Sequence, residues 1–205
     1  MHAGSTLFFD VCLQPDLGPD GPWPLLAADE LAAARALFHG GALVGVRQAG
    51  IVCAHAAPVE PPHCDGPAAG RARLDACAPA LPIAVVTSDR GEARPALDRA
   101  HAYYVASGCR RPADGDAATR AAVDHVSAGI RDAVVFGAGI EWGLAHAVDA
   151  LLRRRIRTHV ALDATGAADA AEAQRVIADW KRRTVDVTTA AMVLRLLAAD
   201  APAKI

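Results

Sequence analysis

The feature that most constrains this chain is a repeated alternation of short, continuously apolar runs with longer amphipathic ones. Residues 6–11 (TLFFDV) read as a strand. After a turn rich in Pro and Gly (15–24), residues 26–38 read as a helix with Asp29 and Glu30 in its first turn, where carboxylates favour the positive end of the helix dipole. Residues 42–47 (ALVGVR) and 82–87 (PIAVVT) read as the second and third strands. Residues 117–128 follow as a helix capped by Asp116, and 132–137 (DAVVFG) as a fourth strand. Helix 142–154, strand 156–162, helix 168–182, strand 184–187 and helix 189–198 complete the order. Strands that are apolar throughout are covered on both faces. The expectation is therefore a three-layer α/β/α sandwich with a mainly parallel six-stranded sheet. Right-handed crossovers place functional groups at the carboxyl ends of such strands. Residues 48–81, rich in Pro, Gly, Ala and Cys and without periodicity, sit where this kind of fold carries an active-site insertion.

At 205 residues the expectation is a single domain over 1–205. Lys+Arg 21 against Asp+Glu 23 leaves a net charge of −2, without the cationic excess that a nucleic-acid or anionic-membrane partner requires. Only Lys181 and Lys204 are lysines, which matters where a catalytic lysine would be sought. No apolar run is long enough for a membrane span and no cationic leader precedes the first strand. The five cysteines are odd in number and form no CxxC, which reads as reduced thiols in a cytoplasmic protein.

Three segments carry unusual residues. Asp10 closes the first strand, where a carboxylate serves equally as a general base or as a loop cap. Pro61-Pro62-His63-Cys64 precedes a Gly/Pro turn, and Gly137-Ala138-Gly139-Ile140-Glu141-Trp142-Gly143-Leu144 is a glycine-rich strand-to-helix turn. In this order the three resemble the isochorismatase-like cysteine hydrolases, the superfamily of nicotinamidases and isochorismatases. The resemblance runs over most of the chain, from LFFDVCLQPD (7–16) through PPHC to GAGIEWGLAHAVDA (137–150) and the last two strands. It implies a catalytic aspartate at Asp10, a metal-ligand histidine at His63, and an acidic–aromatic pair at Glu141 and Trp142 beside the pocket. It also implies hydrolysis of a small amide or enol ether, and a homodimer or larger homo-oligomer, for which the Ala-rich helix 142–152 offers a close-packing face.

The departures from that pattern are as informative. The superfamily nucleophile is a cysteine at the start of the helix after the fourth strand; the matching position here is Gly143. The superfamily lysine falls on Arg99, which keeps a positive charge but does not shuttle a proton. The Asp-x-His metal pair after the second strand falls on Gln48 and Gly50, leaving His63 and His55, so no bound metal and no cofactor are expected. Cys12, two residues past Asp10, is either a buried core thiol or a relocated nucleophile; Cys53-Ala54-His55 with His63-Cys64 has zinc-ligand chemistry at a spacing of no common module. Two functions remain open. One is a non-catalytic protein that binds a small ligand in a degenerate pocket. The other is a cysteine-independent hydrolase of a small anionic amide or enol ether, with Asp10 as acid/base, Arg99 orienting the substrate and turn amides between Gly139 and Gly143 stabilising an oxyanion.

Overall fold

The computed structural model describes residues 1–14, 17–21, 24–53, 81–86, 96–107 and 116–200. Its strands are β1 (Thr6–Val11), β2 (Arg47–Cys53), β3 (Ile83–Val85), β4 (Ala102–Ser107), β5 (Asp132–Ala138), β6 (Arg157–Gly166) and β7 (Asp186–Thr188). All pairings are parallel, in the order β3-β4-β2-β1-β5-β6-β7. The helices are α1 (Ala28–Val44), α2 (Ala117–Val126), α3 (Ala145–Arg153), α4 (Ala170–Arg182) and α5 (Ala190–Ala199), and α3 is entered through a π-turn (Ile140–Leu144). The α/β architecture matches the sequence expectation.

The central strands are buried along their whole length. Every residue of β1 and β5 is buried, as their predominantly apolar runs lead one to expect, and the burial takes in Asp10 and Asp132 as well. Phe136 of β5 anchors the interior edge-to-face against Phe8 of β1 and Phe38 of α1, at ring-centroid separations of 6.2 and 5.2 Å. No helix among the described residues is long and apolar enough to cross a membrane.

Two differences from the sequence reading have clear causes. Residues 42–47 are not a strand: α1 continues to Val44 and β2 begins only at Arg47. Gly40 and Gly41, which fall between the helix and the strand of the sequence reading, are both sites of close approach inside α1. A Cβ on Gly41 would lie 2.6 Å from Phe8 Cε2, and one on Gly40 would lie 2.4 Å from Leu194 Cδ2 of α5. The helix instead stops at Gly45, in the left-handed region at φ 73°, with the Val46 N–H donating to the Gly41 carbonyl. The second difference is β4, a strand not anticipated in the sequence, which raises the count from six to seven. Its residues AYYVAS contain both tyrosines of the chain.

Candidate functional site

From β1 the strand order runs to one side through β2 and β4, and to the other through β5 and β6. The order reverses between β1 and β5, and in open parallel sheets the crevice at the carboxyl ends of such a pair is where ligands bind. Asp10 lies there, opposite Phe136 of β5 and one residue before the end of β1.

Asp10 is fully buried. Across the sheet it is in register with Gly50 of β2, which is in register with Tyr104 of β4. A Cβ at Gly50 would sit 2.7 Å from Asp10 Oδ2 and 2.4 Å from its carbonyl oxygen. The bare glycine therefore opens a gap through which the buried Tyr104 hydroxyl donates to Asp10 Oδ2 at 2.8 Å. Tyr104 was missed in the sequence because β4 was missed. The adjacent tyrosines in an otherwise small, apolar run were the available signal.

Gly50 and Gln48 are thus interior residues of β2 rather than a pair following it, which corrects the metal-pair assignment. Gln48 is buried near the other end of the strand and donates from Nε2 to the Phe38 carbonyl at 2.6 Å. His55, His63 and Cys64 lie outside the described residues. Among the described residues, no three His, Cys, Asp or Glu side chains are grouped so as to hold a metal ion.

The turn after β5 is shaped by its glycines. Gly137, at φ 121°, lies against β1 so closely that a Cβ there would collide with the Val11 carbonyl oxygen. Gly139, at φ 78°, reverses the chain, and its carbonyl accepts from the Trp142 and Leu144 N–H groups, the second bond being the five-residue π spacing. The Trp142 ring covers Gly139, with Cδ2 and Cε3 3.1 Å from where a Cβ would be. Gly143 is buried against β1, and a Cβ there would lie 2.9 Å from Val11 Cγ1. Gly139, Trp142 and Gly143 are therefore brought to the carboxyl edge, next to the end of β1 that carries Asp10.

Of the other expected site residues, Arg99 is placed differently, Glu141 has a structural partner, and Cys12 is the buried thiol of one of its two sequence readings. Arg99 precedes β4, so it falls at the amino edge of this parallel sheet. Its guanidinium reaches the backbone at Gly4 and Gly45, ahead of β1 and β2, at the opposite end from Asp10. Glu141 joins the turn to α4: its Oε1 accepts from the Ala168 N–H at 2.7 Å and the Asp169 N–H at 2.5 Å. Cys12 is buried one residue past β1 at φ 52°, so strand alternation no longer relates its side chain to Asp10. Its N–H donates to the Ile51 carbonyl of β2 at 2.9 Å, which extends the β1–β2 ladder by one bond. The Ala-rich face after Gly143 is turned inward, with Ala147 and Ala150 in the core of this chain.

The amino edge holds a separate ionic group that was not foreseen in the sequence. His159 is nearly buried between two carboxylates, Nδ1 to Asp186 Oδ2 at 2.9 Å and Nε2 to Asp132 Oδ1 at 3.1 Å. Arg157 Nε donates to the same Asp132 oxygen at 2.5 Å. Burial pushes the Asp132 carboxyl up, but the bonds from Arg157 and His159 outweigh it and hold the group below the usual carboxylate range.

No protein-family model and no curated protein matches the sequence. Solved structures do match. A cysteine hydrolase from Pseudomonas syringae pv. phaseolicola superposes with a TM-score of 0.71 at 15% identity, over 98% of this chain and 96% of that one. An isochorismatase family protein from Desulfovibrio vulgaris gives 0.69 at 15% identity over 95% and 98%. N-carbamoylsarcosine amidase from Thermoplasma acidophilum gives 0.59 at 17% identity over 91% and 96%. The chain therefore has the fold found in isochorismatase-like hydrolases.

Proposed function

We propose that this chain is a divergent isochorismatase-like protein that binds a small molecule non-covalently at the carboxyl edge beside Asp10. The observation that carries this reading is the pairing of a retained, buried Asp10 with a glycine at position 143. An amide hydrolase working through a thioester needs a thiolate at the start of the helix, and Gly143 offers no nucleophile. Its Cβ position is also confined by Val11. Arg99, at the far edge, does not serve as a substrate clamp.

A second reading is supported by the Tyr104–Asp10 bond. A tyrosine donating to Asp10 Oδ2 holds the carboxyl group in one orientation at the carboxyl edge, which suits a non-covalent hydrolysis of an enol ether in which Asp10 handles the proton. The two readings separate in one experiment. The purified protein is incubated with nicotinamide and with a carboxylated vinyl ether, and both binding and product are followed by NMR. The first reading expects saturable binding that Asp10→Asn abolishes, with no product from either compound. Product from the vinyl ether, lost in Asp10→Asn, selects the second reading. Product from nicotinamide overturns both.

The resemblance also supports a cytoplasmic homodimer or larger homo-oligomer. With the apolar face of α3 used internally, exposed apolar residues among the described ones that could serve it include Leu43 on α1, 88% exposed, and Met192 and Leu196 on α5, which packs against α1. A monomeric mass by light scattering at micromolar concentration removes this part of the reading.

A further inference from the structure

A cavity of about 600 Å³ opens between the loop ahead of α1, the carboxyl end of β6 and the first turns of α4. Its wall includes the apolar side chains of Leu25, Leu26, Ile140, Leu162 and Ile177, and Glu30 is the one charged wall residue among the described residues. Asp10 is not part of it. The volume is in the range of small-molecule sites.

The walls are held in place. Leu25 and Leu26 both donate to the Leu17 carbonyl, which closes the loop on itself. The same loop lies directly on β6: a Cβ on Gly166 would collide with the Leu25 carbonyl oxygen, so only glycine admits this approach. Glu30 is fixed by accepting the Ala27 N–H on Oε2 at 2.7 Å, the arrangement of a helix-start glutamate reaching back to its cap residue.

The charge of the wall selects the ligand. The N-terminus of α4 borders the cavity and by itself would favour an anion. Two carboxylates already serve that end: Asp169 Oδ1 accepts from the Ala171 and Glu172 N–H groups, and Glu141 Oε1 accepts from those of Ala168 and Asp169. Glu30 then sets the sign. Burial raises its carboxyl above the ordinary value, opposed by the Ala27 bond and reinforced by the neighbouring Asp29 charge. A carboxylate part-removed from water gains more from a cation than an exposed one does.

We propose that this cavity binds a small molecule with an aryl or alkyl body and a single cationic head, a primary amine or an amidine, the body against Ile140, Leu162 and Ile177 and the head paired with Glu30. The test is calorimetric titration of the whole protein with phenylpropylamine, phenylpropanol and phenylpropionate, which share a body and differ in the charge of the head. The amine is expected to bind tighter than the alcohol by about fivefold, a modest factor because Glu30 is only part-buried, and the acid weakest. Glu30→Gln keeps an oxygen for the Ala27 N–H and removes the charge, so it should equalise amine and alcohol while the protein stays folded. Gln174→Trp, on the exposed side of α4 at the cavity wall, should weaken all three by obstructing the mouth. Equal affinity of amine and alcohol for the unaltered protein, an amine preference that survives in Glu30→Gln, or no saturable binding of any probe overturns the proposal.

Discussion

Tyr104 reaches Asp10 past Gly50, hydroxyl to carboxylate at 2.8 Å, although the two residues stand 94 positions apart and on strands that do not pair directly. The bond exists because the strand between them presents no side chain at that level. Removing the hydroxyl with Tyr104→Phe leaves a buried carboxylate oxygen short of one donor. The expected loss is about 1–3 kcal/mol of stability in urea unfolding. Any hydrolysis or ligand binding that depends on Asp10 should change in pH profile as well as in strength. A variant as stable as the parent and unchanged in its pH profile would show that the bond has no role in either.

The gap itself is testable. In Gly50→Ala the new methyl group would have to share space with the Asp10 carbonyl and carboxylate, which are backbone and buried side chain with little freedom to yield. We expect a cost of about 3 kcal/mol or more, exceeding that of Tyr104→Phe because the clash displaces the strand as well as the bond. Chemical unfolding of both variants side by side gives the order, and the reverse order contradicts the geometry.

At the turn, Gly143→Cys supplies the thiol that the resemblance leads one to look for. It should still not hydrolyse nicotinamide, because Arg99 is not at this edge to assist and the new Cβ must push Val11 aside. The strain should lower stability by about 1–3 kcal/mol. In the unaltered protein, iodoacetamide at neutral pH should label no cysteine with a linked loss of function. Ammonia release from nicotinamide by Gly143→Cys would show that a relay other than Arg99 serves the site.

The amino edge predicts an acid limit to stability. Asp132 titrates below its unfolded value, so its contribution is present above that value and is lost as the pH falls through the folded one. Thermal unfolding should therefore show a Tm that declines below about pH 4. Asp132→Asn should flatten this limb and lower the Tm at neutral pH, because Arg157 and His159 both lose an ionised partner. An acid limb unchanged in Asp132→Asn would place its origin in other carboxylates.

What the sequence by itself determined is local in kind. Continuous apolar runs identified the buried strands β1 and β5, helical spacing identified α2 with its Asp116 cap and the body of α4, and the turn at 137–144 was recognisable from its glycines. Asp10 could be placed at a strand end for the same reason, since period and punctuation are properties of neighbouring residues. The tertiary structure decided everything that depends on lateral order. Glycines at 40 and 41 stayed helical because Leu194 and Phe8 need the space, which no local propensity reports. Arg99 moved to the wrong edge once β4 was seen to follow it, because in a parallel sheet the residue before a strand and the residue after it lie at opposite ends. Glu141 became a brace for α4, and Tyr104 became a partner of Asp10. Both contacts join segments far apart in sequence, and only the packing order of the strands and helices brings them within hydrogen-bond distance.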